Sequence, residues 1–423
     1  MARPEHVVVI GAGITGALLA ERLLSAGVRV TVLEAKEKGA GSSSRSAACI
    51  RQQFSTPATV KAMRYSVNEY QNFEERFRCE PGQGDALVQN GYLFLYGDPS
   101  RAEDALKAKK AWDVARANVA MQQAAGLRDV ELLHPAAIAE RFDHVDNSAL
   151  IGATFCPSDG FLHPDVVYME GFRRIEELGG VLHQYKPVTE GRFDSRGQLD
   201  AVMTSDGDCF EADLFVDCTN AWSPRLTELL GGAPLPIEPL KRYLYFLQRG
   251  PSLSGTQLKA MPMTISPNRA YCRPENAEQL MLGWAHHADS QGDFDWEDQD
   301  VIEPEFFHKS GLENYGMQLW MELAESMPPL MEFSGLRATT AGFYAVTPDH
   351  NPFLGYNLRQ ERLLHAVGFS GHGAMMGPFT AAAVAEMALR GETLRSVTLE
   401  GVEIDLDALR VGRTFSHGEG MVI

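Results

Sequence analysis

The sequence has no apolar stretch of the roughly 18 or more residues that a membrane-spanning helix needs. The first apolar run begins at Val7, which leaves no room for a signal peptide, so we expect a cytoplasmic protein with no membrane span. Basic residues are also few, with 38 Lys and Arg against 56 Asp and Glu and a formal net charge of −18. Because nucleic-acid phosphates require a basic surface, this balance argues against a nucleic-acid partner.

Cysteines number six and are scattered, with no C-x-x-C pair. This pattern argues against a disulfide framework and indicates reduced, mostly buried thiols. A zinc site needs clustered ligands, and the adjacent pair His286 and His287 is too small a cluster to supply one. We therefore predict no metal.

Residues 7–34 read VVVIGAGITGALLAERLLSAGVRVTVLE, which has the order of a dinucleotide-binding unit. Val7–Ile10 is a continuous apolar run, typical of a parallel strand covered on both faces. Gly11 permits the tight turn, Gly13 lets the backbone approach a pyrophosphate, and Gly16 allows close helix packing. Glu34 ends the second strand, where a carboxylate accepts hydrogen bonds from a ribose 2′-hydroxyl. The motif predicts bound NAD or FAD without choosing between them.

The middle of the chain contains two kinds of sequence pattern. Helical periodicity covers 58–78, 101–125 and the stretch from DGFLHP to Leu178, and strands are predicted at 91–96, 181–185, 188–193, 199–204 and 214–218. From 236 to 336 the chain is rich in aromatic, strand-like pieces such as KRYLYFLQ, AYCRP and LMLGW. Such pieces are typical of an antiparallel sheet, and we expect one face of this sheet to line the substrate site.

A second glycine-rich turn, SGHGAMMG, follows the apolar strand LLHAVGF and opens an Ala-rich helix that ends at Gly391. A helix N-terminus aimed back at the nucleotide site favours the negative charge of a reduced flavin ring. A nicotinamide enzyme has no such need. The second turn therefore favours FAD.

Six motifs resemble those of the D-amino-acid oxidase superfamily of flavoproteins: the amino-terminal unit, SSSRSAACIRQQF, DGFLHP, VDCTNAWS, TPDHNPFLG and GFSGHG. The chain looks most similar to the branch that contains monomeric sarcosine oxidase and dimethylglycine oxidoreductases. This resemblance implies an α/β fold with a Rossmann-type FAD-binding domain built from discontinuous segments, residues 1–90, 150–235 and 338–423. It also implies a mixed, largely antiparallel β-sheet substrate domain with helices, residues 91–149 and 236–337.

The resemblance also assigns contacts to FAD, from the diphosphate and adenosine to the isoalloxazine ring. The residues at matching positions are Gly11, Gly13, Ile14, Thr15, Gly16, Glu34, Ala35, Ser43, Ser44, Arg45, Val188, Thr219, Trp222, Gly342, Gly371, His372, Gly373, Met375 and Met376.

Four residues are candidates for the substrate side. Arg51 matches the arginine that grips the substrate carboxylate in sarcosine oxidase, and its fork suits bidentate binding, although a structural ion pair is an equal alternative. Tyr271 and Arg273 alternate on one predicted strand and either line the cavity or serve the fold. His372 either lies beside the ring or hydrogen-bonds backbone.

The chain departs from sarcosine oxidase at three positions. Gly342 stands where that enzyme has the cysteine linked to flavin, so we expect noncovalent FAD. Met375 replaces a lysine of the carboxylate clamp. Met281 falls where a lysine is thought to promote the reaction with oxygen, and a cation there would stabilise developing superoxide. The electron acceptor is therefore oxygen or another oxidant.

We expect an enzyme that oxidises a C–N bond of an amino acid or N-alkyl amino acid by hydride transfer to flavin N5, giving an imine that water hydrolyses. One alternative is an FAD-dependent 2-hydroxy-acid dehydrogenase, which usually needs a general base that the sequence does not identify. Another is a non-catalytic assembly protein that keeps FAD for stability.

Overall fold

The computed structural model describes residues 2–100, 105–284, 314–415 and 418–421. In chain order its strands are β1 His6–Ile10, β2 Arg29–Leu33, β3 Cys49–Ile50, β4 Leu87–Val88, β5 Tyr92–Gly97, β6 Glu131–Leu133, β7 Leu150–Cys156, β8 Gly160–Leu162, β9 Val181–His183, β10 Val188–Phe193, β11 Leu199–Thr204, β12 Cys209–Glu211, β13 Leu214–Asp217, β14 Glu238–Gln248, β15 Met263–Ile265, β16 Ala270–Pro274, β17 Gln279–Trp284, β18 Gly335–Val346, β19 Phe353–Tyr356, β20 Leu363–Val367, β21 Ser396–Leu399 and β22 Val402–Asp405. The helices are α1 Ile14–Ser25, α2 Pro57–Gln71, α3 Phe73–Phe77, α4 Ala105–Ala124, α5 Pro135–Arg141, α6 Pro164–Glu177, α7 Ser223–Leu229, α8 Gly255–Ala260, α9 Tyr315–Ser326 and α10 Gly373–Arg390.

A six-stranded sheet in the order β19-β20-β13-β1-β2-β9 forms the nucleotide-binding half. Its strands are parallel except β19, which pairs antiparallel with β20 at one edge. The central strand β1 is apolar throughout because both faces are covered. Val7 and Val9 pack with α1, α6 and α10, whereas Val8 and Ile10 pack with Leu199 of β11. The parallel sheet that the apolar run predicts is therefore confirmed.

A second, eight-stranded sheet has the order β18-β14-β17-β16-β15-β5-β7-β6. Its pairs are antiparallel except β15 with β5. One face packs on α5, α8 and α9, and the other carries an apolar cluster that includes Tyr92, Met263, Tyr271 and Met281. The mixed, largely antiparallel sheet is thus confirmed, and the α/β fold class with it.

Two expected domain boundaries fall inside the second sheet. Residue 150 begins β7, which pairs with β5 along its whole length, and residue 338 lies within β18, which pairs with β14. Hydrogen-bonded ladders place both strands with the substrate-side sheet, so we propose that this domain comprises 91–156 and 236–346.

The helix predicted over 58–78 is present as α2 and α3, which are separated at Asn72, whose amide donates to the carbonyl of Asn68. The helix predicted over 101–125 is α4, and residues 101–104 lie outside the described part. The strand predicted over 181–185 ends at His183, since Tyr185 has a left-handed backbone with φ of 60°. Among the described helices, none combines the length and apolarity required to cross a bilayer.

Candidate functional site

A cavity of about 580 Å³ lies where the carboxyl ends of β1, β2 and β13 meet the face of β14, β16 and β18. Its volume is within the range of roughly 300–1,000 Å³ that is usual for small-molecule and cofactor sites. In open α/β sheets, ligands bind at the carboxyl ends of the strands. The location is therefore the one that the amino-terminal motif predicts.

The glycine-rich turn lines one end of this cavity with Gly11, Gly13, Ile14 and Thr15. Gly11 has φ of 107°, and a Cβ on it would lie 2.8 Å from the carbonyl oxygen of Cys218. Gly16 does not line the cavity. A Cβ at Gly16 would lie 2.0 Å from the Gly11 carbonyl oxygen, so this glycine allows α1 to pack directly on the turn.

Glu34 stands at the end of β2 and lines the cavity together with Ala35. One carboxylate oxygen accepts from the amide of Ala12 at 2.8 Å and the other from the amide of Lys36 at 2.9 Å. These bonds fix the carboxylate at the mouth of the glycine turn, where a ribose hydroxyl can donate to it. Val188 lines the neighbouring wall with Lys186 and Pro187.

A short 3₁₀ segment, Ser42–Arg45, lies against the start of α1 at the wall of the cavity. The Ser43 hydroxyl accepts from the amide of Ile14 at 3.1 Å, so it satisfies one of the free N–H groups of the helix. Ser42 donates to the carbonyl of Phe343 at 2.7 Å and ties the segment to β18. Ser43 and Arg45 line the cavity, whereas Ser44 does not.

The loop after β13 closes another wall. Asp217 accepts from both the amide and the hydroxyl of Thr219, at 2.9 and 2.6 Å, and thereby fixes this lining residue. The Asn220 side chain accepts from the amides of Gly368 and Phe369, which joins this loop to the turn before α10. Trp222 packs edge-on against Phe343, with ring centroids 5.9 Å apart.

The charges of the cavity oppose those of the whole chain. The charged residues that line it are one carboxylate, Glu34, and five cations: Lys36, Arg45, Lys186, Arg225 and Arg242. Two helix N-termini, those of α1 and α10, also end at its wall, and each favours negative charge. This cradle of glycines, amides and cations, with an acid at the ribose position, fits a dinucleotide diphosphate.

At the far end of the cavity, Gly371, Gly373 and Ala374 present the start of α10. Gly371 has φ of 91°, and a Cβ on it would lie 2.5 Å from the ring of Tyr344. Met375 and Met376 are 6% and 2% exposed and pack into the core beneath the turn rather than against the cavity.

Gly342 lines the cavity on β18, directly opposite Arg242 on β14. A Cβ at Gly342 would lie 2.8 Å from the carbonyl oxygen of Arg45. Arg242 itself lies over the Tyr344 ring, with 5.6 Å between the guanidinium carbon and the ring centroid. Glycine at this position therefore lets β18 approach the 42–45 segment closely.

Tyr271 lines the cavity, and Gly283 on the paired strand leaves room for its ring. Burial holds the pKa of Tyr271 well above its usual value, with the neighbouring Tyr344 adding to the shift, so its hydroxyl remains protonated. Arg273 points elsewhere. It donates to the carbonyl of Ala47 at 2.7 Å and pairs with Glu275 at 2.8 Å, which is the structural alternative for this residue.

Arg51 is 1% exposed and lies behind the lining residues. Its terminal nitrogens donate to the carbonyls of Gln53 and Met421, and its guanidinium carbon is 3.9 Å from the centroid of the Phe54 ring. One of those nitrogens also lies 3.3 Å from His372 Nε2. Burial, and then the nearby Arg51, holds the pKa of His372 well below its usual value. His372 is therefore neutral and accepts at Nε2.

Behind Arg51 lies a buried carboxyl group, Asp159 of the DGFLHP motif. Its oxygens accept from the amide and side chain of Gln52, at 2.8 and 3.1 Å, and from the side chain of Gln53 at 3.1 Å. Burial raises its pKa to about 7 against these hydrogen bonds, which lower it. Asp159 therefore fixes the two glutamines that follow Arg51.

The sequence singled out neither Tyr344 nor Asn220, and it left Arg242 open between reaching the substrate and lying at a strand edge. A signal existed for Asn220, since an asparagine just after a buried strand often adopts the left-handed conformation seen here, with φ of 53°. No group of three or more metal-ligating side chains occurs in the described ranges, and His286 and His287 lie outside them.

Three comparisons relate the chain to known proteins. A family model described as DAO, FAD dependent oxidoreductase, matches residues 6–387. FAD-dependent oxidoreductase domain-containing protein 1 of Bos taurus is 26% identical over 92% of this chain and 82% of its own length. Glycine oxidase of Geobacillus kaustophilus is 24% identical over 93% of this chain and 95% of its own length. Among solved structures, L-proline dehydrogenase from P. horikoshii has a TM-score of 0.77 and 27% identity, covering 93% of this chain and 95% of that one.

Proposed function

Because the chain belongs to the DAO family of FAD-dependent oxidoreductases, with FAD as its cofactor, we propose that it oxidises the C–N bond of an amino acid or N-alkyl amino acid. The product is an imine that water hydrolyses. Relatives that are named for acting on glycine and on L-proline support this substrate class.

The residues that line the cavity near the start of α10 favour an amine over a 2-hydroxy acid as the substrate. Lining residues there are Tyr271, Gly342, Tyr344 and Arg242, and the one lining carboxylate, Glu34, stands at the opposite end of the described cavity. An alcohol needs a base to take its proton as hydride leaves, whereas a neutral amine can release hydride without one. His372 is a poor base because its pKa is held well below the usual value.

The cradle fits FAD, which when bound supplies the acceptor for the hydride that leaves the substrate carbon. The chain itself binds, orients and excludes water. We assign the substrate carboxylate to Arg51, since its guanidinium is buried and a carboxylate is its preferred bidentate partner. The hydroxyls of Tyr271 and Tyr344 form the adjoining wall, and the absence of a side chain at Gly342 leaves the flavin noncovalent there.

We further propose that an acceptor other than oxygen reoxidises the flavin. Met281, which the resemblance matches to the lysine of sarcosine oxidase, is uncharged and 4% exposed in the apolar cluster that includes Tyr271. Without a cation at that position, superoxide gains less stabilisation.

The test is an anaerobic absorbance spectrum of the purified holoprotein before and after addition of glycine, N-methylglycine, N,N-dimethylglycine, proline and lactate. Bleaching by an amine with no bleaching by lactate is the expected result, and slow recovery on admitting air supports the second proposal. Bleaching by lactate alone would replace the amine with a hydroxy acid. Retained colour with the whole panel would favour a non-catalytic flavoprotein.

An Arg51→Ala variant tests the carboxylate assignment. KM should rise by one to two orders of magnitude, since a charge-assisted bond contributes about 1.5–3 kcal/mol, for the acid that bleaches the wild type. The corresponding amino acid amide should be affected little. Equal losses on both would remove the assignment.

A further inference from the structure

Residues 418–421 lie directly over Arg51 and are held there by hydrogen bonds. Glu419 is 3% exposed, and its Oε1 accepts from the amide of Ser55 at 2.9 Å, from the Ser55 hydroxyl, and from the amide of Met421 at 2.9 Å. The amide of Gly420 donates back to the Ser55 hydroxyl at 2.8 Å. Ser55 and Glu419 therefore act as a clasp for this segment.

The chain that leads to the clasp is fixed on Asp349. Arg413 forms a bidentate ion pair with Asp349, with both N···O distances at 2.7 Å, and the two side chains are 2% and 4% exposed. The carbonyl of the same Asp349 accepts from the amide of Glu419 at 3.0 Å. Arg413 and Glu419 are thus both attached to the same residue, Asp349.

The end of the segment, Met421, contacts the guanidinium of Arg51. The carbonyl of Met421 accepts from the guanidinium, and the Met421 side chain packs against the apolar cluster that includes Tyr271. With the carbonyl of Gln53 on the other terminal nitrogen, both ends of the fork that would grip a carboxylate are directed at peptide oxygens.

A peptide carbonyl is the weaker partner for this guanidinium. Within the described ranges no carboxylate forms an ion pair with Arg51, although Glu419 and Asp159 act on it at longer range. Burial lowers the pKa of Arg51, which reflects the cost of holding the charge there. A carboxylate adds its own negative charge and a bidentate geometry that a peptide carbonyl lacks, so an incoming carboxylate can compete for this position.

We propose that residues 418–421 form a strap that occupies the carboxylate position of Arg51 and is displaced by the substrate's carboxylate. The inference rests on the proposed role of Arg51 in substrate binding. The free energy of binding a substrate carboxylate then includes the cost of releasing the strap. The clasp between Ser55 and Glu419 determines how large that cost is. A ligand that carries an anion displaces the strap, whereas a neutral one leaves it in place.

The experiment is hydrogen–deuterium exchange of the FAD-loaded protein, read on peptides that contain residues 418–421. Acetate is the probe and acetamide its neutral match. Acetate should speed exchange of the Gly420 amide severalfold, because it loses the Ser55 hydroxyl as its acceptor when the strap opens, and acetamide should leave it unchanged. Binding of each probe is measured separately through its perturbation of the flavin absorbance.

Two variants outside the binding machinery sharpen the test. Ser55→Ala removes the hydroxyl on which two bonds of the clasp depend, so the Kd for acetate should fall about tenfold, equivalent to about 1.4 kcal/mol. Glu419→Gln keeps an oxygen that can accept from Ser55 and Met421, and should bind acetate within about twofold of the wild type.

The possible failures are distinguishable. If acetate perturbs the flavin while exchange at 418–421 is unchanged or slower, the strap does not compete with the carboxylate and this inference is wrong, whereas the role of Arg51 stands. If acetate perturbs neither signal, the carboxylate site itself is lost, and the strap hypothesis falls with it.

Discussion

At the scale of single residues, the amino-terminal motif can be recognised in the sequence because the close contacts of the turn require glycine at fixed positions. Gly16 is the sharpest case, with a virtual Cβ 2.0 Å from a backbone oxygen. The lining residues Tyr344 and Arg242 were not predicted as such, because they meet only through the pairing of β14 with β18. A pattern within one strand does not contain the register of its neighbour.

Gly16→Ala should yield a folded protein that does not retain FAD. The added methyl group pushes α1 away from the glycine turn and displaces the amides that face the cofactor, at a cost of about 1–3 kcal/mol for overpacking. The ratio of flavin to protein absorbance after gel filtration measures retention.

Gly27→Ala is the matched control, since Gly27 ends the same helix region with φ of 81° and has no atom within 4 Å of its virtual Cβ. It should lose stability and keep its flavin. Normal flavin content in Gly16→Ala would show that the turn tolerates a shift of the helix.

Asp159 predicts a specific dependence of stability on pH. Burial raises its pKa well above the usual range of an aspartate, to about 7, so the folded protein holds a proton that the unfolded chain releases. The stabilisation from this group is complete below about pH 4 and is lost as pH rises through about 7.

Asp159→Asn removes that titration. The Tm of the variant minus that of the wild type should therefore increase from about pH 4 to about 7 and be constant above that, because between these values only the unfolded wild-type chain releases the proton. Thermal unfolding at a series of pH values measures the difference. Two parallel curves would show that Asp159 is ionised throughout.

At the scale of elements, the sequence pattern predicted about half of the described strands, but not the sheet to which each of the others belongs. β7 and β18 have the apolar character of strands in either sheet, and only their hydrogen-bonded ladders assign them to the eight-stranded one. The conformations of the loops that join elements at the site likewise depend on tertiary contacts and were not predicted.

Asn220 is the clearest such joint, since one side-chain oxygen serves the amides of Gly368 and Phe369 at 3.1 and 3.3 Å. Asn220→Ala should destabilise the protein by about 1–3 kcal/mol because two amides lose their acceptor. The affinity for FAD should also fall, since Thr219 and Phe369 both line the cavity. Urea unfolding and FAD titration of the apoprotein measure these effects.

Asn220→Gly separates backbone from side chain, because glycine accepts a φ of 53° without strain but supplies no oxygen. It should behave like the alanine variant. Wild-type stability in the glycine variant would mean that the left-handed backbone, and not the hydrogen bonds, requires asparagine.

At the scale of the whole molecule, the cofactor site is where the two large sheets meet, with walls from β1, β2 and β13 on one side and β14, β16 and β18 on the other. Removing FAD should lower Tm, and adding it back should raise Tm with the logarithm of its concentration. At a hundredfold excess over Kd the gain is about 2.7 kcal/mol. Thermal shift assays over a range of FAD concentrations measure it.

ADP is the control, since it carries the adenosine and diphosphate but no ring to reach β14 and β18. At equal concentration it should raise Tm less than FAD, because without the ring contacts its Kd is higher. Equal shifts would mean that the α10 end of the cavity contributes nothing to the stability of the holoprotein.

The strand order of the six-stranded sheet also has a consequence for biosynthesis. β1 is made within the first ten residues, yet its neighbour β13 begins at Leu214 and the next strand, β20, at Leu363. At roughly 5–20 residues per second, a growing chain waits about ten to forty seconds for the first of these partners. A ribosome that stops before β20 releases a polypeptide whose central sheet has an open edge, so stable uptake of flavin reports that translation has passed β20.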